Sequence, residues 1–377
     1  MLGFFKYFNI FLGSAAALLG KNLGALKIIL PVGISFYTFQ ALSYVIDIRR
    51  GKIPVENDFV KLALYISFFP QLVEGPIVRA ADFLPQLREE RRVSLAGVQW
   101  GVQVFAFGLF KKVVLADHLS VFVDDVYRAP AAFHWATLLL GAVSYSLQIY
   151  FDFSGYSDMA IGCAKCLGYD FKRNFNLPYL SQSAAEFWHR WHISLSTWLR
   201  EYLYIPLGGN RRGKPRQYVN LMLTMLLGGL WHGASWTFVF WGDVNGLALC
   251  ADKLRHETSR AGVVRAVKVV VTFFFITFTW VFFRADSFAT AWAVIGGVFT
   301  LQNGIRQPFV WTFVSLLALT AGTIAAERKA RKGAETDGYY PILDLGTVRG
   351  LTVFFVELGL ILALAYTGEN PFVYFQF

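Results

Sequence analysis

"LTMLLGGLWHGASWTFVFWG", residues 223–242, closes a run from Gln217 to Gly242 with no Asp, Glu, Lys or Arg over 26 positions. A spanning helix needs about 20 residues. As one straight helix the run would reach about 39 Å, against a hydrocarbon core of about 30 Å. The surplus coincides with Gly228, Gly229 and Gly233, which bracket the single histidine His232. The reading is a membrane helix that thins or breaks at this point. A histidine at that depth needs a polar partner or a water-filled cavity. Its near-neutral pKa suits it to take the proton of an alcohol that attacks an acyl group. The plainer alternative is a packed histidine bonded to a neighbouring helix.

The rest of the chain agrees with a membrane setting. Of its 377 residues 55% are hydrophobic and 16% charged, and the mean hydropathy is +0.45. Soluble domains carry about 25% charged residues. Further uncharged runs cover Trp135–Phe151, Val269–Phe283 and Phe309–Ala326, and Leu351–Tyr366 is interrupted only by Glu357. With weaker candidates near 25–46, 60–77 and 98–116, roughly eight to ten spans are expected. The runs are continuous rather than alternating, which excludes a β-barrel. The expected class is therefore an all-α polytopic membrane protein. It forms one domain over residues 1–377 with its functional core at about 135–245.

The net charge is +10, and the basic residues cluster at Arg49–Lys52, Arg88–Arg92, Lys111–Lys112, Arg211–Arg216, Lys253–Arg265 and Arg328–Lys332. Read as short loops flanking apolar spans, these mark the cytoplasmic side or hold anionic lipid headgroups. No nucleic-acid motif accompanies them. Cys163 and Cys166 have metal or redox spacing without a second pair, and read as small helix residues. The N-terminal stretch departs from a secretory signal, because Lys6 follows an apolar start and Asn9 interrupts what comes next.

Two other stretches carry chemistry. In "YFDFSGYSDMAIG", 150–162, Asp152 and Asp158 lie at or inside the membrane edge. Ionisable groups there face a cavity or a partner, so either one of them orients a catalytic group or both pair with nearby arginines. In "EFWHRWHISLSTWLREYLYIPLGGNRRG", 186–213, Glu186, His189 and His192 recur every three residues, and on one helix they would share a face. That is one reading, a metal face, although no second Glu-x-x-His helix is visible to complete a two-metal site. The other is an amphipathic, partly re-entrant helix with aromatics at headgroup depth and Arg190 and Arg200 reaching phosphates. It leaves through Pro206 and a Gly-Gly turn into a basic loop. No GxSxG, P-loop or GxGxxG pattern occurs.

These blocks, with "NFNLPYLSQSA" before the second of them, "LPVGISFYTFQALSYVIDI" (30–48), "FFPQLVEGPIVRAADFLPQL" (68–87) and the ending "PFVYFQF", resemble the bacterial branch of the membrane-bound O-acyltransferase family. The nearest likeness is to membrane subunits that O-acetylate alginate and other polysaccharides. The resemblance implies a bundle of transmembrane and re-entrant helices around a central cavity lined by two histidines. Here these are His232, the catalytic one, and His192. It implies acyl transfer from a thioester, with acetyl-CoA as donor substrate on the cytoplasmic face of the bacterial inner membrane and no resident cofactor or metal. The acceptor is a polysaccharide or a periplasmic acetyltransferase partner protein. Arg190, Arg200 and Arg211 are the candidates for the donor's phosphates, and Asp152 and Asp158 for orienting a histidine. Relatives commonly carry arginine at the position of His189, which weighs against the metal face, and a small residue at that of Glu74. They also have further apolar helices before the match to "FKY" at Phe5, so the chain is expected to lack the first helices of the family. Two other classes compete with this reading: a transporter with a midplane histidine, and a metalloenzyme using Glu186, His189 and His192.

Overall fold

A computed structural model of the protein describes residues 2–21, 26, 31, 33–254, 262–307, 317–318, 320–327, 343–366 and 368. Half of the run Phe309–Ala326, the polar stretch 328–342, the basic cluster Arg328–Lys332 and the ending "PFVYFQF" lie outside the described residues. Regular structure within them is helical, apart from one isolated parallel bridge between Phe133 and Ile305. The chain divides into two compact units, residues 1–90 with 194–255, and residues 91–193 with 256–376.

The first unit holds α1 (Leu2–Leu19), α2 (Ile34–Arg49), α3 (Phe59–Ser67) and α4 (Ala80–Arg88). The second opens with α5 (Leu95–Phe110), a π-helical turn at Lys111–Ala116, α6 (Asp117–Arg128), α7 (Trp135–Cys166) and α8 (Ala184–Arg190). α9 (Ile193–Leu199) begins at the boundary and leads into the first unit, which continues with a second π turn (Arg200–Tyr204), α10 (Lys214–His232) and α11 (Trp236–Asp252). The second unit ends with α12 (Gly262–Arg284), α13 (Phe288–Phe299), the helical residues 320–327 and α14 (Val348–Leu364). Helix starts follow local chemistry. Ser94, Ser183, Ser235, Ser287 and Thr347 each accept a hydrogen bond from a backbone N–H in the first turn of α5, α8, α11, α13 and α14.

The 26-residue uncharged run is two helices, not one. α10 ends at His232, Gly233 is extended (φ −159°, ψ 152°), and Ser235 caps α11. The two helices then fold back on each other without room for side chains between them. A Cβ at Gly229 would lie 2.3 Å from the Phe238 carbonyl oxygen, and one at Gly242 2.4 Å from that of Met225. Among the described residues, α12 is the one helix long and apolar enough to cross a membrane. One side of it is apolar and outward, with Val263, Val267, Val270, Val271 and Phe274 exposed, and α14 likewise exposes Val353, Phe355, Val356 and Leu362. Apolar faces of this extent are unstable against water and suit a lipid or protein neighbour.

α5 and α7 form the core of the second unit, antiparallel and joined by glycines two helical turns apart. A Cβ at Gly101 would lie 2.5 Å from the Gly162 carbonyl oxygen, and the reverse pair gives the same distance. Gly108 and Gly155 repeat the relation at 2.5 and 2.7 Å. Small residues at this spacing let helix backbones touch, so that close packing replaces a hydrophobic drive that lipid does not supply.

Directly after α5, Lys111 and Lys112 correct the expectation of a cytoplasmic loop. They continue the helix as a π turn and are buried, with 1% and 6% of their surface exposed. The Lys111 ammonium lies 2.8 Å from Asp158 and also meets Glu327, while Lys112 lies 2.7 Å from Asp117 and 2.6 Å from Asp152. Tyr150 donates a 2.8 Å hydrogen bond to Glu327. Asp152 and Asp158 are therefore paired with lysines rather than with the arginines that one of the two readings named. Buried charges persist only where partners replace water, and these pairs join the π turn to α6, α7 and residues 320–327.

Two outcomes follow. Gly155→Leu drives a side chain into the α5 backbone and should lower unfolding stability in detergent by about 3 kcal/mol, read from denaturant titration of tryptophan fluorescence. Lys111→Met leaves Asp158 and Glu327 facing one another without their ammonium, and should cost about 3–5 kcal/mol in the same assay.

Candidate active site

His232 is the last residue of α10, and the chain around it explains why the helix stops there. A Cβ at Gly233 would fall 2.1 Å from the Phe238 ring, so only glycine lets the chain turn so tightly against α11. The imidazole is buried between two indoles. Trp231 lies at 4.9 Å with a 74° interplanar angle and Trp241 at 5.2 Å and 88°. Edge-to-face contacts of this kind fix a ring's plane. Trp231 in turn lies nearly parallel to Phe39 of α2 at 5.1 Å, and Phe39 stacks on Trp198 at 3.9 Å.

The last carbonyls of a helix have no partner inside it. Here α1 supplies donors. Tyr7 donates to the Leu230 carbonyl at 2.9 Å, and the Lys6 ammonium to those of Trp231 and His232 at 2.5 and 2.9 Å. Lys6 was read from the sequence only as a charge out of place for a signal peptide. Its isolation in an apolar helix was the available sign that it has a buried task.

His192 sits in the second unit under a different constraint. α8 ends at Arg190, Trp191 is extended (φ −101°, ψ 130°), and His192 adopts the left-handed conformation at φ 42°. This corrects the shared Glu186–His189–His192 face. His192 is off the helix, His189 is exposed, and Glu186 accepts from Arg190 at 2.6 Å and from the Gln182 N–H at 2.8 Å. Among the described residues no three His, Cys, Asp or Glu side chains group as metal ligands. A left-handed residue other than glycine costs on the order of 1–2 kcal/mol and persists only where its surroundings over-determine it. The segment 174–176 does this: Asn176 N–H donates to the Arg190 carbonyl at 2.9 Å, and Ile193 N–H to that of Asn174 at 2.8 Å. Asn174 is anchored to Ser157 on α7 at 3.1 Å. The His192 ring is fully buried and meets Phe153 of α7 edge-on at 4.6 Å. Phe153 directly follows Asp152, so the lysine-paired stretch of α7 also supports this histidine.

Of the arginines, Arg190 has its guanidinium on Glu186 and, at 3.2 Å, on the Asn176 carbonyl, which gives it a part in holding the loop. Arg200 and Arg211 are exposed. Arg211 shares its turn with Arg212, and Lys214 and Arg216 follow in the first turn of α10, all exposed. The turn passes through Gly208 and Gly209, both at positive φ, and is pinned by Asn220, which donates to the Gly209 carbonyl at 2.9 Å. Glu74 is buried in the first unit. Arg200, Arg211 and His232 thus belong to the first unit, and Asp152, Asp158, Arg190 and His192 to the second.

Comparison with known proteins gives these positions a context. The chain is 43% identical over 309 residues to the protein named "Probable alginate O-acetylase AlgI" in Azotobacter vinelandii, covering 80% of this chain and 61% of that one. It is 37% identical over 334 residues to the peptidoglycan O-acetyltransferase of Helicobacter pylori, 81% and 63% of the two chains. To the teichoic acid D-alanyltransferase of Bacillus subtilis it is 26% identical over 275 residues, 68% and 69% of the two. It therefore spans a little over three fifths of the length of the two more similar of these relatives. The sequence model of the membrane-bound O-acyltransferase family matches residues 52–292, a stretch that holds His192, His232, the lysine-paired aspartates and the basic turn. On that match, and on the identity to the alginate and peptidoglycan enzymes, the chain belongs to the membrane-bound O-acyltransferase family.

Proposed function

We propose that the protein is a polytopic inner-membrane O-acyltransferase that moves an acetyl group from acetyl-CoA toward the hydroxyls of a cell-surface polysaccharide, directly or through a periplasmic partner. The observation that carries this is His232: a buried imidazole at the end of a helix, its ring bracketed by Trp231 and Trp241. The names of two relatives, an alginate O-acetylase and a peptidoglycan O-acetyltransferase, favour acetyl and a glycan acceptor. The outward apolar faces of α12 and α14 favour a lipid setting. The family match runs from 52 to 292 through segments of both compact units, which favours a single domain over 1–377 with its core near 135–245.

In this reading His232 takes the proton of the acceptor hydroxyl as its oxygen attacks the thioester carbonyl. The tetrahedral adduct collapses with loss of the C–S bond, an ester C–O bond remains, and the proton passes from His232 to the departing thiolate. His192, with its backbone clamped, donates a hydrogen bond to the developing oxyanion or holds the donor. Asp152 acts through the α7 stretch behind Phe153, while Asp158 neutralises Lys111. Arg200 and Arg211, both exposed, meet the phosphates of CoA.

Membranes carrying the protein, supplied with labelled acetyl-CoA and the host's extracted polysaccharide, test this. His232→Ala should lower transfer by about 100-fold or more at unchanged protein level; transfer at the parental rate removes His232 as the base. Arg200→Ala combined with Arg211→Ala should raise the KM for acetyl-CoA by about tenfold, equivalent to about 1.4 kcal/mol, with kcat retained.

A further inference from the structure

We propose that Lys6 is a positioning residue for His232, and that α1 acts as a strap across the break between α10 and α11; the proposal rests on reading His232 as the base. Three consecutive carbonyls, those of Leu230, Trp231 and His232, accept from Tyr7 or Lys6 of α1. Beyond the break, the Trp236 indole N–H donates to Ser14 of the same helix at 3.2 Å. Lys6 and Ser14 are eight residues apart, about 12 Å along a helix, so α1 holds the last turn of α10 and the first residue of α11 at a set separation.

The ammonium does more than satisfy carbonyls. The C-terminus of a helix carries partial negative charge, which a cation there offsets. Lys6 also lies 5.8 Å from the centre of the Trp231 ring, whose neighbour is the His232 imidazole. The lysine therefore fixes both the backbone that carries the imidazole and one of the two indoles that set its plane. Without it, the Trp231 and His232 carbonyls at a glycine break would seek water or other donors, and the last turn would fray. A misplacement of about 1 Å in a proton-transfer group can cost on the order of 100-fold in rate, and Lys6 guards against that displacement.

The experiment compares the full chain in membranes with Lys6→Met, Lys6→Arg and Tyr7→Phe. Lys6→Met should lower kcat of acetyl transfer by about 10–100-fold with KM for acetyl-CoA unchanged. Lys6→Arg keeps a charged donor for two carbonyls and should restore most of the rate, and Tyr7→Phe should give a smaller loss. In parallel, amide hydrogen exchange over residues 233–237 and the rate at which diethyl pyrocarbonate labels His232 should both rise in Lys6→Met. Parental kcat in Lys6→Met, equal loss in Lys6→Arg, or parental exchange and labelling would overturn the proposal. If Lys6→Met does not accumulate, Lys6→Arg and Tyr7→Phe decide by the same readouts. If the parent itself transfers no acetyl group, the reading of His232 falls, and exchange and labelling alone decide whether Lys6 holds it.

Discussion

A helix that stops away from water leaves its final carbonyls without partners, and the α10 terminus depends on how that cost is met. α10 stops because Gly233 must lie against Phe238, and the carbonyls exposed by the stop are taken up by Tyr7 and Lys6. Continuation of the helix would have satisfied the same groups, but α11 could not then fold back on α10. The chain instead breaks, and a histidine flanked by two tryptophans occupies the break. A local backbone deficit and a candidate reactive group share one place.

His192 shows the same logic with another device. Its backbone is strained rather than underbonded, and the strain is held by Asn174 and Asn176 on either side. Asn174 is fastened to α7, whose face toward α5 is built from glycine contacts and whose carboxylates are paired with Lys111 and Lys112. Rigid support of this kind is what a group acting on a transition state needs, since its geometry must be set before reaction.

Much of the site was legible from residue types. The lone imidazole in an uncharged run, the glycine break and the Gly-Gly turn could be read directly, because glycine and histidine in an apolar setting each have few tolerated uses. The metal face, one of two alternatives for that stretch, fails because a spacing of three implies a shared face only while the chain stays helical, and Trp191 leaves the helix. Lys111 and Lys112 were misread because adjacent lysines after an apolar run look like a loop. Apart from Asp117, their carboxylate partners come from α7 and residues 320–327, tens to more than two hundred residues away along the chain.

The sequence alone determined the helical class and the apolar character, since these follow from composition and from run length, while His192 and His232 were singled out by the resemblance to a family. Tertiary structure decided which charges are neutralised, by what, and how each histidine is held. Pairing between Lys6 and the end of α10, or between Lys112 and Asp152, depends on which helices pack together. Helix packing here is set by contacts between glycines and by carbonyls that need donors, and no local pattern records where in the chain those donors lie.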